Sequence, residues 1–124
     1  MDRDKSKSEF KSRLYKYVLR LIKFLNTLPY SPVIKAIISQ LMRSGTSIGA
    51  NYFEAEAASS KKDYQNFFNY SLKSANESLF WLTVLKNSEL LPKELTAECD
   101  WLLNETGQFA NIFASSILTM KNKR

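Results

Sequence analysis

Apolar residues recur along this chain at intervals of three and four, and no segment reads as a strand. In the first segment Phe10, Leu14, Val18, Leu21, Leu25 and Leu28 step by 4, 4, 3, 4 and 3 and so share one helical face. Ser6-x-x-Glu9 has the spacing of a capping box, and Pro29 ends the run, which predicts a helix over about 6–28. Ser31 and Pro32 suit the N-cap and first turn of a second helix, over about 32–58, with Ile34, Ile37, Leu41, Ile48, Tyr52 and Ala55 inside. Ser59 and Ser60 form the next break. Ser60 caps a third helix over about 61–87, whose inner positions are Tyr64, Phe67, Phe68, Leu72, Ala75, Leu79, Leu82 and Leu85. After a loop at 88–91, Pro92 opens a fourth helix over about 92–121. Leu95, Cys99, Leu102, Thr106, Phe109, Phe113, Ile117 and Met120 line its inner face. Glu94 near its start and Lys121 and Lys123 at its end suit the helix dipole.

Helices of these lengths measure roughly 33–45 Å. Joined by short loops, they predict one all-α domain over 1–124, an antiparallel up-down-up-down four-helix bundle with frayed ends at about 1–5 and 121–124. Two helices carry more apolar surface than a lone bundle needs. Helix 2 adds Val33, Ile38, Met42, Ala50 and Phe53 to its stripe, and helix 3 adds Tyr70, Phe80 and Trp81. The surplus points to a second buried surface and hence to a homo-oligomer.

Composition narrows the chemistry. The 124 residues include no His, one Cys and three Gly. Without His there is no Ser-His-Asp or Cys-His catalysis and no His-containing metal site. Neither a GxGxxG nor a Walker-type loop occurs. A di-metal carboxylate bundle would need a Glu-x-x-His repeat, and Glu77, Glu98 and Glu105 are too few on their own. These absences predict a non-enzymatic protein with no metal and no cofactor. Cys99 lies on an apolar face and reads as core; as the lone Cys it fits a reducing compartment. The charged N-terminal residues do not form a secretory signal, and no apolar run approaches the roughly 20 residues that span a bilayer. The expectation is a cytoplasmic chain with no membrane role.

Charge is uneven. The formal net charge is +6, and residues 1–24, with eight basic and three acidic side chains, supply +5 of it. Arg13, Lys16, Arg20 and Lys23 step by 3, 4 and 3 and form one stripe, with Tyr17 and Phe24 alongside. Cations in a line suit phosphates, and aromatics beside them can stack on unpaired bases, so helix 1 is a candidate RNA- or DNA-binding surface with Tyr17 as a possible stacker. The alternative is an ordinary solvated face.

Within helix 2, Gln40, Arg43, Ser47, Asn51 and Glu54 step by 3, 4, 4 and 3 along one face, beside the small residues Ser44, Gly45, Ser47, Gly49 and Ala50. Two Gly in a helix cost about 1 kcal/mol each relative to Ala, which suggests the close approach of another backbone. The polar line reads as a buried network that fixes helix register or subunit geometry rather than as a catalytic site. Glu54 and Glu56 point apart on a helix, and Lys73 with Glu77 has the spacing of a weak ion pair. Trp81 and Trp101 read as packing or interface anchors.

The block Gln40-Leu41-x-Arg43-Ser44-Gly45-Thr46-Ser47-Ile48-Gly49-Ala50-Asn51-Tyr52-x-Glu54-Ala55 resembles the four-helix-bundle proteins called 23S rRNA-intervening-sequence proteins. The likeness continues through Ser60 and Asp63-Tyr64 and resumes at Lys73-x-Ala75-x-Glu77-Ser78-x-Phe80-Trp81-Leu82. Ser74 departs from a frequent Glu, and Ser78-x-Phe80 stands for Thr-x-Tyr. The resemblance implies a bundle assembled into a ring, as a pentamer. A group similar in architecture, the accessory proteins of diversity-generating retroelements, works beside a reverse transcriptase through a basic surface. Two functions therefore stand side by side: a nucleic-acid binder acting through helix 1, and a scaffold ring for a protein partner such as a nucleic-acid enzyme.

Overall fold

The computed structural model describes residues 2–123, with side chains from Asp4 onward; Met1, Arg124 and the side chains of Asp2 and Arg3 lie outside it. It is an all-α four-helix bundle: α1 (Asp2–Asn26), α2 (Pro32–Glu56), α3 (Lys61–Asn87) and α4 (Thr96–Asn122), with a 3₁₀ turn at Lys93–Leu95 leading into α4. Among the described residues no helix is long and apolar enough to cross a membrane.

Local chemistry explains most helix ends. Ser31 accepts from the Ile34 N–H at 3.0 Å, and Pro32 occupies the first turn of α2. Ser60 accepts from the Asp63 N–H at 3.0 Å while Asp63 accepts from the Ser59 N–H at 3.3 Å, so two donors at the start of α3 are satisfied reciprocally. Three expectations fail at the ends. Ser6-x-x-Glu9 caps nothing, because α1 already runs from Asp2 through that position. The terminal stretches expected to fray are helical at 2–5 and 121–122; residues 1 and 124 lie outside the described residues. Pro92 opens a 3₁₀ turn, closed by Leu95 N–H to Pro92 C=O at 3.0 Å, and the α-helix begins only at Thr96. No side chain caps that start, and Glu89 in the preceding loop has φ 67°.

Partners on neighbouring helices run in opposite numerical order. On α1 and α4, Arg13 meets Glu105 and Arg20 meets Glu98. On α1 and α2, Leu14 lies against Gly49 and Leu21 against Gly45. On α2 and α3, Ser44 meets Ser78 and Ile48 meets Ser71.

The core contains Leu14, Tyr17, Leu21, Phe24 and Leu25 of α1, Leu41 and Ile48 of α2, Leu82 and Leu85 of α3, and Cys99, Leu102 and Phe109 of α4. The buried face of α1 is thus rotated towards Tyr17 and Phe24. Phe10, Val18 and Leu28, expected inside, are only half-buried. At one end Phe10 packs edge-on against Tyr52 at 4.9 Å, and Phe68 against Phe113 at 5.4 Å.

Gly45 and Gly49 admit side chains of α1, not another backbone. A Cβ on Gly45 would lie 2.3 Å from Leu21 Cδ2, whereas one on Gly49 would sit 3.6 Å from Leu14 Cβ. The small residues bring α2 and α3 together through hydroxyls: Ser78 Oγ–H donates to Ser44 Oγ at 2.9 Å, and Ser71 Oγ–H to the Ile48 carbonyl at 2.8 Å, all fully buried.

Candidate nucleic-acid interface

The α1 stripe sits at the seam with α4, and the structure treats its members differently. Lys16 and Lys23 are exposed, and among the described residues neither has an ion-pair partner. Arg13 and Arg20 are both engaged by α4. Arg13 donates from Nε to Glu105 Oε2 at 2.7 Å, from Nη2 to Glu105 Oε1 at 2.8 Å, and again from Nη2 to Gln108 at 2.6 Å. Arg20 donates from Nε to Glu98 Oε2 at 2.6 Å and from Nη2 to Oε1 at 2.9 Å. Each guanidinium also lies over an aromatic ring, Arg20 at 3.7 Å from the Trp101 centroid and Arg13 at 5.1 Å from that of Phe109. The hydrogen bonds they donate to Glu105 and Glu98 hold both guanidinium pKa values above their ordinary value.

Tyr17 is not beside the stripe. It is 0% exposed, edge-on to Phe109 at 5.2 Å, with its hydroxyl 2.6 Å from Thr106 Oγ1. Burial pushes its pKa up to about 12. It cannot stack on a base, and Phe24, 2% exposed, cannot either. The sequence placed both beside the cations because four residues of slack separate the faces of a helix, and only α4 decides which face turns inward. What remains is a line of cations with phosphate chemistry and no aromatic platform.

Next to the cations, towards α2, α1 exposes a second stripe that sequence reading missed: Tyr15 at 63%, Leu19 at 50% and Ile22 at 41%. Their spacing of 4 and 3 was the available signal. Tyr15 adjoins exposed Ala50 and Phe53 of α2 across a shallow groove floored by Leu14, Val18 and Gly49. A different apolar concavity, about 540 Å³, lies over the α2–α3 seam, lined by Val33, Ala36, Ile37, Trp81 and Val84. Val33, Phe53, Tyr70 and Phe80 are exposed, while Ile38, Met42 and Trp81 are half-buried.

The α2 polar line is not a buried network in the protomer. Arg43 and Glu54 are exposed, and Gln40, Ser47 and Asn51 half-buried. Arg43 bridges to Glu77 on α3 and donates to Gln40 at 2.9 Å, while Trp81 Nε1–H donates to Glu77 at 3.2 Å. That Arg43 contact holds the Glu77 carboxyl below its ordinary pKa. Glu77 thus turns to Arg43, and no Lys73–Glu77 bridge forms among the described residues. Ser47 and Asn51 bond carbonyls of their own helix, at 2.6 and 2.8 Å. Between α2 and α3 the buried polar contacts are instead the serines, whose spacing of seven on α3 (Ser71, Ser78) is the signal that would have found them. Glu56 pairs with Lys11, away from Glu54. Cys99 is enclosed, 3.8 Å from the Leu82 carbonyl, and burial pushes its thiol up to about 11. Among the described residues no three His, Cys, Asp or Glu side chains cluster as metal ligands.

Residues 6–111 match the family described as 23S rRNA-intervening sequence protein. Among solved structures the chain is similar to a protein of unknown function from the S23 ribosomal protein family of Bacteroides thetaiotaomicron. The two share 33% identity with a TM-score of 0.72, over 86% of this chain and 96% of that one. No match to this chain is found among curated proteins.

Proposed function

The chain belongs to the 23S rRNA-intervening sequence protein family, and from that premise we propose a non-enzymatic, cytoplasmic, antiparallel up-down-up-down bundle that assembles into a cyclic homo-oligomer and binds RNA or DNA phosphates through α1. One observation carries the reading: the outer surface of α1 is divided lengthwise. Arg13, Lys16, Arg20 and Lys23 lie on the α4 side, and Tyr15, Leu19 and Ile22 on the α2 side. A helix that only had to be solvated would not expose three large apolar residues in a row. The division lets the apolar half bury against another copy while the basic half stays in water.

The two apolar patches support a head-to-tail contact. They lie over different seams of the bundle and differ in size, a groove of about 130 Å³ beside Phe53 and a concavity of about 540 Å³ beside Trp81. A two-fold dimer would use one self-complementary patch; unlike patches give heterologous contacts, which form a ring when the rotation between copies closes. Five copies is the number the family likeness favours.

Without a stacking aromatic, the expected binding is electrostatic and indifferent to base sequence. The test is fluorescence anisotropy of a labelled structured RNA across a salt series, with wild type beside Lys16→Glu/Lys23→Glu. Wild type binds with a salt-dependent affinity and the variant does not. Unchanged binding by the variant, or no binding by wild type at low salt, overturns the reading. A second reading, a scaffold ring for a protein partner with no direct nucleic-acid role, gains if the RNA assay fails.

A further inference from the structure

We infer that Glu98 and Glu105 hold the α1 surface in a self-neutralised state, standing in for two phosphates and limiting polyanion contact to Lys16 and Lys23. The inference rests on the nucleic-acid reading above and adds a mode of regulation to that site.

The geometry is specific to these two acids. Each carboxylate meets a guanidinium through Nε and Nη2 together, with all four distances between 2.6 and 2.9 Å. A phosphate presents two oxygens to the same fork in the same way. The arginines are seven residues apart on α1 and the glutamates seven apart on α4, so the two helices are in register as donor and acceptor. The other ion pairs that lysines make, Lys11 with Glu56 and Lys86 with Asp100, have no such fork.

The arginines are also held independently of their acids. Trp101 and Phe109 support the guanidinium faces, so each stays at the seam if its carboxylate swings out. Beside Arg20 lies a cleft of about 400 Å³ between the end of α1 and the start of α4, bounded by Lys23, Phe24, Thr27 and Glu98. A phosphate there meets Arg20 and Lys23 together once Glu98 turns away.

The test extends the RNA salt series to Glu98→Gln/Glu105→Gln and to Glu54→Gln/Glu89→Gln, which removes the same charge away from the seam. Counterion release counts the cations that touch phosphate, so freeing two of four steepens the slope of log K against log salt about twofold. The off-seam variant, with the same net charge, keeps the wild-type slope. Glu98→Ala/Glu105→Ala must give the same steepening, and unchanged helical circular dichroism shows that the bundle is intact. If the seam and off-seam variants share one slope, the inference is overturned while the loss of binding in Lys16→Glu/Lys23→Glu still supports the nucleic-acid reading. If that lysine variant binds as wild type does, the reading falls and takes the inference with it.

Discussion

Replacing Thr106 with Val should cost more stability than replacing Tyr17 with Phe, because the first breaks two hydrogen bonds and the second only one. Thr106 has a single hydroxyl proton, and it goes to the Leu102 carbonyl at 2.6 Å. The Tyr17 hydroxyl therefore donates across the seam to Thr106 Oγ1. Tyr17→Phe removes that donor and leaves Thr106 with its own bond intact, for a cost of about 1 kcal/mol. Thr106→Val strands a hydroxyl in a fully buried site, which costs about 1–3 kcal/mol. The double variant removes both groups, so it should be more stable than Thr106→Val alone and far from the sum of the two. Urea unfolding at fixed protein concentration reads these as shifts in midpoint at constant m. Equal single costs, or an additive double variant, would refute the assigned donor direction and the bond with it. The same residue makes a pH test. Tyr17 titrates near 12 when folded and near 10 when not, so its contribution is present below pH 10 and lost as pH rises towards 12. Two units correspond to about 3 kcal/mol. Tyr17→Phe should remove that portion of the alkaline loss, leaving the portions from Tyr52, pushed up to about 12, and Cys99, to about 11. RNA affinity should not change in Tyr17→Phe; a tenfold loss without loss of stability would mean that the hydroxyl reaches the nucleic acid after all.

The three glycines should respond to Ala in different directions. Gly107 has nothing within 4 Å of an added Cβ and Gly49 only an ordinary contact, so both gain up to about 1 kcal/mol of helix propensity. At Gly45 the Cβ would overlap Leu21 Cδ2, so this fully buried side chain must shift within the core, and overpacking of about 1–3 kcal/mol outweighs the gain. Thermal unfolding of the three variants checks the order. For assembly, wild type should elute as a discrete oligomer by light scattering, and Phe53→Glu, which charges the α1–α2 groove, should shift it to the monomer; an unshifted Phe53→Glu oligomer refutes the placement of the contact.

Periodicity alone made the four helices legible, because their inner stripes repeat over seven turns and their breaks carry cap chemistry that acts within three or four residues. Ser31 and Ser60 behave as read for that reason. The ends that went wrong, at Ser6 and Pro92, lack that closure: nothing before Ser6 stops α1, and no side chain caps Thr96. The candidate site was half legible. The spacing of Arg13, Lys16, Arg20 and Lys23 did place four cations on one face, as any helix must. It could not show that Tyr17 and Phe24 turn inward, since a buried stripe more than 100° wide can be centred on either side of Leu14 and Leu21.

Pair choice was beyond reach of the chain's one-dimensional order. Arg13 and Glu105 are 92 residues apart, and Arg20 and Glu98 are 78 apart. No local rule links them. Likewise Glu77 lies four residues from Lys73, yet it faces Arg43 across the α2–α3 seam. Local patterns determine what each helix is and roughly which face it buries, because those depend on backbone geometry repeated every 3.6 residues. Which cation is paired inside the protomer and which is left in solvent depends on the packing of α1 on α4, and only the tertiary structure decides that.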